Sequence, residues 1–183
     1  MSEINVNISL LIDDDKFFRR LCPLCRREFK VLLEDEQLED LAKKGIESFM
    51  LENNTQNTEI EEEKTESEYF CPYCGQMSYE SDWWTDEQRA FIRVHVENIA
   101  SKIINDILVN PMKRELESLS SGPISMKVKS PELSIKDPWI SPETNDMEIF
   151  DLPCCKRKIK IREDWISNIH CYFCNFLHER NDN

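Results

Sequence analysis

The chain has 183 residues, of which 40% are hydrophobic and 32% charged, and its formal net charge is -13. No stretch approaches the ~18 consecutive apolar residues of a membrane helix, and three glycines are too few for a GxGxxG or GxxxxGK[ST] phosphate loop. The acidic balance also opposes binding of a phosphate backbone by the surface as a whole.

Residues 4 to 11 alternate, with Ile4, Val6, Ile8 and Leu10 on one face, and predict a half-buried strand. The start, Met1-Ser2-Glu3, is acidic, and the following apolar stretch is broken by Asn5, Asn7 and Ser9. No secretory leader is expected, and a cytoplasmic location is the default. Residues 16 to 30 are basic, with Lys16, Arg19, Arg20, Arg26, Arg27 and Lys30 against Glu28. Within them lies Cys22-Pro23-Leu24-Cys25. Phe29 to Leu33 reads as a strand, and Glu34 to Leu51 as a helix with Leu38, Leu41, Ile46 and Phe49 on one face.

Residues 52 to 68 carry Ile60 as their one large apolar side chain. Such a segment cannot bury enough surface to offset the entropy of ordering, and predicts a solvated, disordered acidic loop. Cys71-Pro72-Tyr73-Cys74-Gly75 follows, then the pair Trp83-Trp84. Thr85 with Gln88 three residues on reads as a capping box, and Asp86 and Glu87 suit the positive end of a helix. Ile92, Val96, Ile99, Ile103 and Ile107 then form an apolar stripe. The helix should reach Val109, before Asn110-Pro111, or kink and continue to Leu119. Its stripe must lie on a sheet or on another chain.

Ser120 to Pro123 is a break, and Ile124 to Val128 alternates like a strand. Met147 to Leu152 leads into Pro153-Cys154-Cys155. Lys156 to Arg162 places Ile159 and Ile161 on one face, and His170-Cys171-Tyr172-Phe173-Cys174 comes last. Each half thus pairs a cysteine site with a short, basic, alternating strand. No alignable repeat is evident beyond that echo.

Eight cysteines in a reducing compartment hold metal more readily than they form disulfides. Two cysteines separated by two residues aim both sulfurs at one ion across a tight turn. Proline after the first cysteine fixes that turn, and glycine after the second supplies a left-handed residue. Cys22, Cys25, Cys71 and Cys74 therefore predict a closed tetrahedral zinc site. The second site is less regular. Cys171 and Cys174 form a half-knuckle with Asn175 where glycine is expected, a mild departure because Asn tolerates that conformation. The other half is the adjacent pair Cys154 and Cys155. All four bind, with a strained turn, or one of the pair binds and His170 or His178 completes the set.

These residues resemble the zinc-ribbon fold group over roughly 18 to 34 and 68 to 80. The combination YFCPYCG, DWWTDEQ, a long helix and a distal CC…HCYFC is also similar to a group of uncharacterised prokaryotic double-zinc-ribbon proteins. The first resemblance implies ribbon-like β units, as found in transcription factors, polymerase subunits, ribosomal proteins and protein adaptors. Neither selects an activity.

Enzyme readings fare poorly. CPYC also occurs in glutaredoxin-like sites, but there it follows a buried strand and caps a helix. Here it follows an acidic loop and is matched by a second CPxC. His95-Val96-Glu97 mimics the H-x-E of zinc deaminases, yet no P-C-x-x-C lies downstream and the triplet sits inside the long helix.

The expectation is an α+β fold with two small zinc-ribbon-like β units flanking one long amphipathic helix. Residues 1–84 form the first unit, with an inserted helix and the acidic loop (52–68). Residues 85–119 form the helix and residues 120–183 the second unit. Two zinc ions serve as structural staples, and the chain acts as a non-enzymatic adaptor or accessory subunit for a protein partner. Trp83-Trp84 and the helix stripe are candidate contact surfaces, with packing of the first ribbon on the helix as their plain alternative. A nucleic-acid reader using the basic ribbons is the second reading. Arg19, Arg20, Arg26, Arg27, Lys156 and Lys158 serve it, or else neutralise the anionic zinc centres. Phe17, Phe18, Tyr172 and Phe173 would stack on bases, or else form core and rim beside the knuckles.

Overall fold

Each cysteine turn forms the tip of an antiparallel hairpin in the computed structural model, which describes residues 10–52, 67–119 and 132–180. Strands β1 (Phe17–Leu21) and β2 (Glu28–Leu32) close around the first turn, and β3 (Glu68–Phe70) and β4 (Met77–Tyr79) around the second. Strands β5 (Glu148–Leu152) and β6 (Arg157–Ile161) carry Cys154 and Cys155, and β7 (Ile169–His170) and β8 (Leu177–His178) the last pair. In all four turns the residue after the second cysteine is left-handed: Arg26 at φ 57°, Gly75 at 69°, Lys156 at 52° and Asn175 at 60°. Three of these are not glycine, and a left-handed residue costs about 1 kcal/mol or more. Backbone bonds hold them there: Arg26 N–H donates to Cys22 O, Gly75 N–H to Cys71 O and Asn175 N–H to Cys171 O.

The two ends of the chain share one sheet. β2 pairs with β6, Lys30 opposite Lys160 and Val31 opposite Ile159, which gives the strand order β1-β2-β6-β5. The two rear hairpins meet in the same reciprocal way. Phe70 N–H donates to Tyr172 O, and His170 N–H to Pro72 O, both at 2.9 Å. A local two-fold relation follows that superposes Cys25 on Cys155, Lys30 on Lys160, Cys71 on Cys171 and Gly75 on Asn175. The echo between the halves is therefore an aligned repeat at the level of hydrogen bonds.

The sheet is buried on both faces. Phe29, Val31, Ile159 and Ile161 face the rear hairpins and form the main core with Tyr73, Trp83, Leu152, Ile169 and Tyr172. Lys30 and Lys160 point the other way, onto Asp13. Phe18 joins a second core of Leu41, Ile46, Trp84, Phe91 and Ile92, where two helices meet the sheet.

Helix α1 (Asp35–Glu52) follows the expected span within a residue. Helix α2 (Asp86–Ile104) starts at the foreseen cap. Gln88 N–H donates to Thr85 Oγ1 at 3.1 Å, and Thr85 N–H to Gln88 Oε1 at 2.9 Å. The helix does not stop at Asn110-Pro111. It widens into a π segment (Asn105–Val109) and continues as α3 (Asn110–Leu119). A proline ring clashes with the carbonyl one turn back, and the wider turn makes room for it.

An extended strap then runs back along the helix, antiparallel to it. Asn98 donates to Lys136 O and accepts from Lys136 N–H, and Asn105 does the same with Leu133. The two asparagines lie two helical turns apart on one face and act as strand partners for the strap. Ser141 closes the run on Glu87.

The α+β class is thus what the structure shows. Leu10 and Leu11 are not in a strand. The rest of that expected strand, the acidic loop at 53–66 and the strand expected at 124–128 lie outside the described residues. Strand β1 was not foreseen, because Arg19-Arg20 breaks the apolar alternation.

Candidate metal centres

The two front hairpins and the two rear hairpins each contribute half of two four-sulfur clusters. Cys22, Cys25, Cys71 and Cys74 form one, and Cys154, Cys155, Cys171 and Cys174 the other, with all sulfurs of a cluster within 4.8 Å of one another. In the first, Cys22 Sγ lies 3.8 Å from Cys74 Sγ, and Cys25 Sγ 3.7 Å from Cys71 Sγ. In the second, Cys155 and Cys171 are 3.8 Å apart, and Cys154 and Cys174 3.6 Å. A tetrahedron of sulfurs about 2.3 Å from a central ion has edges of about 3.8 Å. The spacing fits a four-thiolate metal centre and is far from the ~2.05 Å of a disulfide.

Half of the first cluster lies in the main core. Cys22 and Cys71 are fully buried beside Phe29 and Trp83. Tyr73, between the sulfurs of its knuckle, donates from its hydroxyl to Glu28 O at 2.8 Å and accepts from Arg162 N–H at 3.0 Å. It thereby fastens the rear hairpin of the first unit to strands of both units. The Cys71 thiol beside Cys22 favours the ionised form of the latter. A metal ion would take up the remaining sulfurs with release of their protons.

The second cluster departs from the first at one position. By the two-fold relation, Cys22-Pro23-Leu24-Cys25 corresponds to Leu152-Pro153-Cys154-Cys155. The buried first position holds a leucine, and the sulfur moves to the third position. Adjacent cysteines therefore reach one cluster without breaking the hairpin, since Leu152 still pairs with Arg157.

The two histidine alternatives separate. His170 Nδ1 lies 3.0 Å from Asn175 Oδ1, and its ring covers Gly75, where a Cβ would come within 2.8 Å. It fills the seam between the rear hairpins. His178 is buried between Phe150 and Phe176, with Nε2 3.1 Å from Cys154 Sγ. Four cysteines form the second cluster, and His178 touches one of them from outside.

Arg19, Arg20 and Arg26 are engaged within the protein. Arg19 is held by Glu28, Glu143 and Asp146. Arg26 meets Asp86. Arg20 is buried, with its guanidinium over the rings of Phe18 and Trp84. Lys30 and Lys160, directly opposite each other, share fully buried Asp13 at 3.2 and 2.9 Å. Opposed like charges repel, and Asp13 with Asp15, Glu143 and Asp146 answers them. Burial pushes the Asp13 carboxyl up, but Lys160, the Phe17 N–H and Lys30 together hold it below its usual range.

Trp83 and Trp84 are not a contact surface. They are 0% and 5% exposed. Trp83 packs edge-on against Phe29 and Tyr172, and Trp84 against Phe18 and Gly45. Consecutive side chains off a 3-10 turn point into two different cores, so the packing alternative is what the fold adopts. His95 and Glu97 do not converge either: His95 lies against Phe91, and Glu97 pairs with Lys136.

The surface the sequence reading passed over is the strap. Trp139 is 73% exposed, with Leu133 and Ile135 also open to solvent. The neighbouring helix presents Ile104, Ile107, Leu108 and Met112, with Ile107 at 72%. Ile107 belonged to the foreseen stripe. Trp139 carried no periodic signal and lay in a proline-punctuated stretch. No helix of the described residues is long and apolar enough to cross a membrane. Searches of protein-family models, curated proteins and solved structures return no match to this chain.

Proposed function

We propose that the chain is a zinc-stapled, non-enzymatic binding protein that presents its long helix and strap to a protein partner. Zinc is the reading favoured by donor chemistry, since four thiolates in a tetrahedron suit zinc or iron, and a closed four-cysteine set is the common structural zinc site. The ions would act as staples, replacing the core that two- and three-residue strands cannot build. A closed donor set leaves no open position for substrate, which supports an adaptor over an enzyme.

The exposed apolar run carries the partner reading. Leu133 is held at Asn105, on the stretch of helix that exposes Ile104, Ile107, Leu108 and Met112, and Trp139 stands farther along the strap, between Lys136 at Asn98 and Ser141 at Glu87. Exposed Trp and Met are enriched in interface cores. The helix stripe is retained from the sequence reading only in this distal half, because Ile92 is buried and Val96 packs on the second core.

A nucleic-acid partner is less well supported. Three of the cations on β1, β2 and β6, namely Arg19, Lys30 and Lys160, are engaged by Asp13, Asp15, Glu28, Glu143 and Asp146.

Elemental analysis tests the staple, with two zinc ions per chain expected and no iron. Affinity capture from the source cell tests the partner, using wild type, Trp139→Ala and Ile107→Glu with and without nuclease. A protein retained after nuclease by wild type, and lost by both variants while their melting is unchanged, is the expected result. Capture that survives both substitutions, or disappears with nuclease, sinks it.

A further inference from the structure

The two clusters are built from the same hairpins, yet their sulfurs differ in protection. Building on the reading that each cluster holds one ion, we infer that the second is the exchangeable centre and that Cys154 is the sulfur that soft electrophiles modify first.

The displaced ligand is the reason. In the first turn the sulfur comes from the inward position, Cys22, which is 0% exposed. In the second turn that position is Leu152, also fully buried, and the sulfur comes from the position occupied by Leu24 in the first turn, which is 66% exposed. The third position of this turn faces water in both units. Moving the ligand there exchanges a sealed sulfur for an open one, and Cys154 is exposed accordingly.

Exposure alone does not single out Cys154, because Cys74 and Cys174 are also open. Each of those two accepts a backbone N–H, from Gln76 and Phe176, as the left-handed turn dictates. Cys22 likewise accepts Cys25 N–H at 3.4 Å. Cys154 instead meets a side chain, His178 Nε2 at 3.1 Å. A side chain on a two-residue strand is a looser guard than a turn amide. The hairpin that carries it, β7–β8, is the shortest among the described residues, and short segments near an edge open locally at low cost.

The chemistry is a simple displacement. The Cys154 thiolate attacks the methylene carbon of an alkylating agent such as iodoacetamide. A C–S bond forms, the C–I bond breaks and iodide leaves with its electron pair. No electron transfer is involved. The thioether left behind is a poor ligand, so the ion of that cluster passes to a competing chelator. His178 is a positioning residue here: a metal-bound thiolate carries no proton, so at 3.1 Å the hydrogen must sit on Nε2, from where it quiets the sulfur.

The test uses the full chain carrying two zinc ions. It is treated with limiting iodoacetamide in the presence of a coloured zinc chelator, and labelled peptides are mapped by mass spectrometry over time. Cys154 should be labelled ahead of the other seven cysteines, Cys174 included, with one ion released in step and the second retained. Loss of a group that orients a metal ligand typically costs 10–100-fold in affinity, so His178→Ala should speed both readouts about tenfold. His178→Gln keeps an N–H near the sulfur and should stay close to wild type, which covers the case that the alanine variant misfolds. Labelling that begins in the first cluster, or release of both ions in a single phase, overturns the ranking while leaving the staple reading intact. A purified protein with fewer than two ions per chain overturns the staple reading and this inference together.

Discussion

In the first unit, two of the four sulfurs lie in the main core and the strands around them run to five and three residues. In the second unit only Cys171 is buried, and the rear strands are two residues long. The units share a hydrogen-bond plan and differ in how much apolar surface surrounds it. A duplicated metal hairpin therefore does not imply duplicated stability. The unit with the larger core carries the fold, and the other leans on it through β6 and the seam at His170.

The sharpest way to break this comparison is to remove one sulfur from each side. A structural zinc site is worth on the order of 10 kcal/mol or more, comparable with the whole stability of a domain. Cys71→Ser should leave the chain without a cooperative melting transition. Cys154→Ser should retain a folded sheet and helix, with one ion lost and a lowered Tm by circular dichroism. Equal damage from both would show that the units are energetically equivalent.

Trp83 joins the cores of both units, through Phe29 on one side and Tyr172 on the other. Trp83→Ala should cost about 3–5 kcal/mol in urea unfolding, with a single transition. Two separate transitions would mean that the units melt independently.

The seam itself can be tested through charge. Removing one partner of a buried ion pair typically costs about 3–5 kcal/mol, and Asp13→Asn should fall at the low end of that range, because it takes away the carboxylate that both buried lysines share while Glu143, Asp146 and Asp15 remain. The carboxyls of Asp13 and Asp146 are lowered when folded, Asp146 to about 2 despite burial, because Arg19 and Lys30 bind it. Groups with depressed values stabilise the fold above their ordinary value of 3.8. Their contribution should be complete at neutral pH and fade as pH falls from about 4 towards 2. Lys160 is shifted upward by Asp13 and Asp15 against the pull of burial, so its contribution is present below 10.5 and lost only in stronger alkali. Urea melts across this range should show the acid limb shrink in Asp13→Asn.

The smallest effect is expected at the strap. A typical hydrogen bond contributes about 1 kcal/mol, and Asn105→Ala removes the pair to Leu133 on the surface. Global stability should change by about that much or less, while amide exchange at Leu133 accelerates. Unchanged exchange there would remove the asparagine latch.

Much of this was legible beforehand. Thr85 to Gln88 fixed a helix start because a capping box is decided within four residues. CPLC, CPYC and CYFC announced sulfur pairs for the same reason. Cys154-Cys155 was legible as a ligand pair but not as a displaced one, since that needs the register of Leu152 against Arg157. The basic runs read as groups that neutralise the cysteine centres or contact nucleic acid because alternation cannot say what covers a strand. Asp13 and residues 143 to 146, far apart in the chain, cover it. Trp83-Trp84 read equally as a contact surface or as packing because a local pattern does not reveal that neighbouring side chains enter two separate cores.

The sequence by itself determined the local chemistry of this protein: eight thiols in four turns, a capped helix and an α+β class, all set by residues within a few positions of one another. Tertiary structure alone decided which sulfurs are guarded, that Lys30 and Lys160 are interior, and that the two ends of the chain form one sheet. Those outcomes depend on pairings between residues more than a hundred positions apart, such as Val31 with Ile159, whose energies are summed only when the chain has folded.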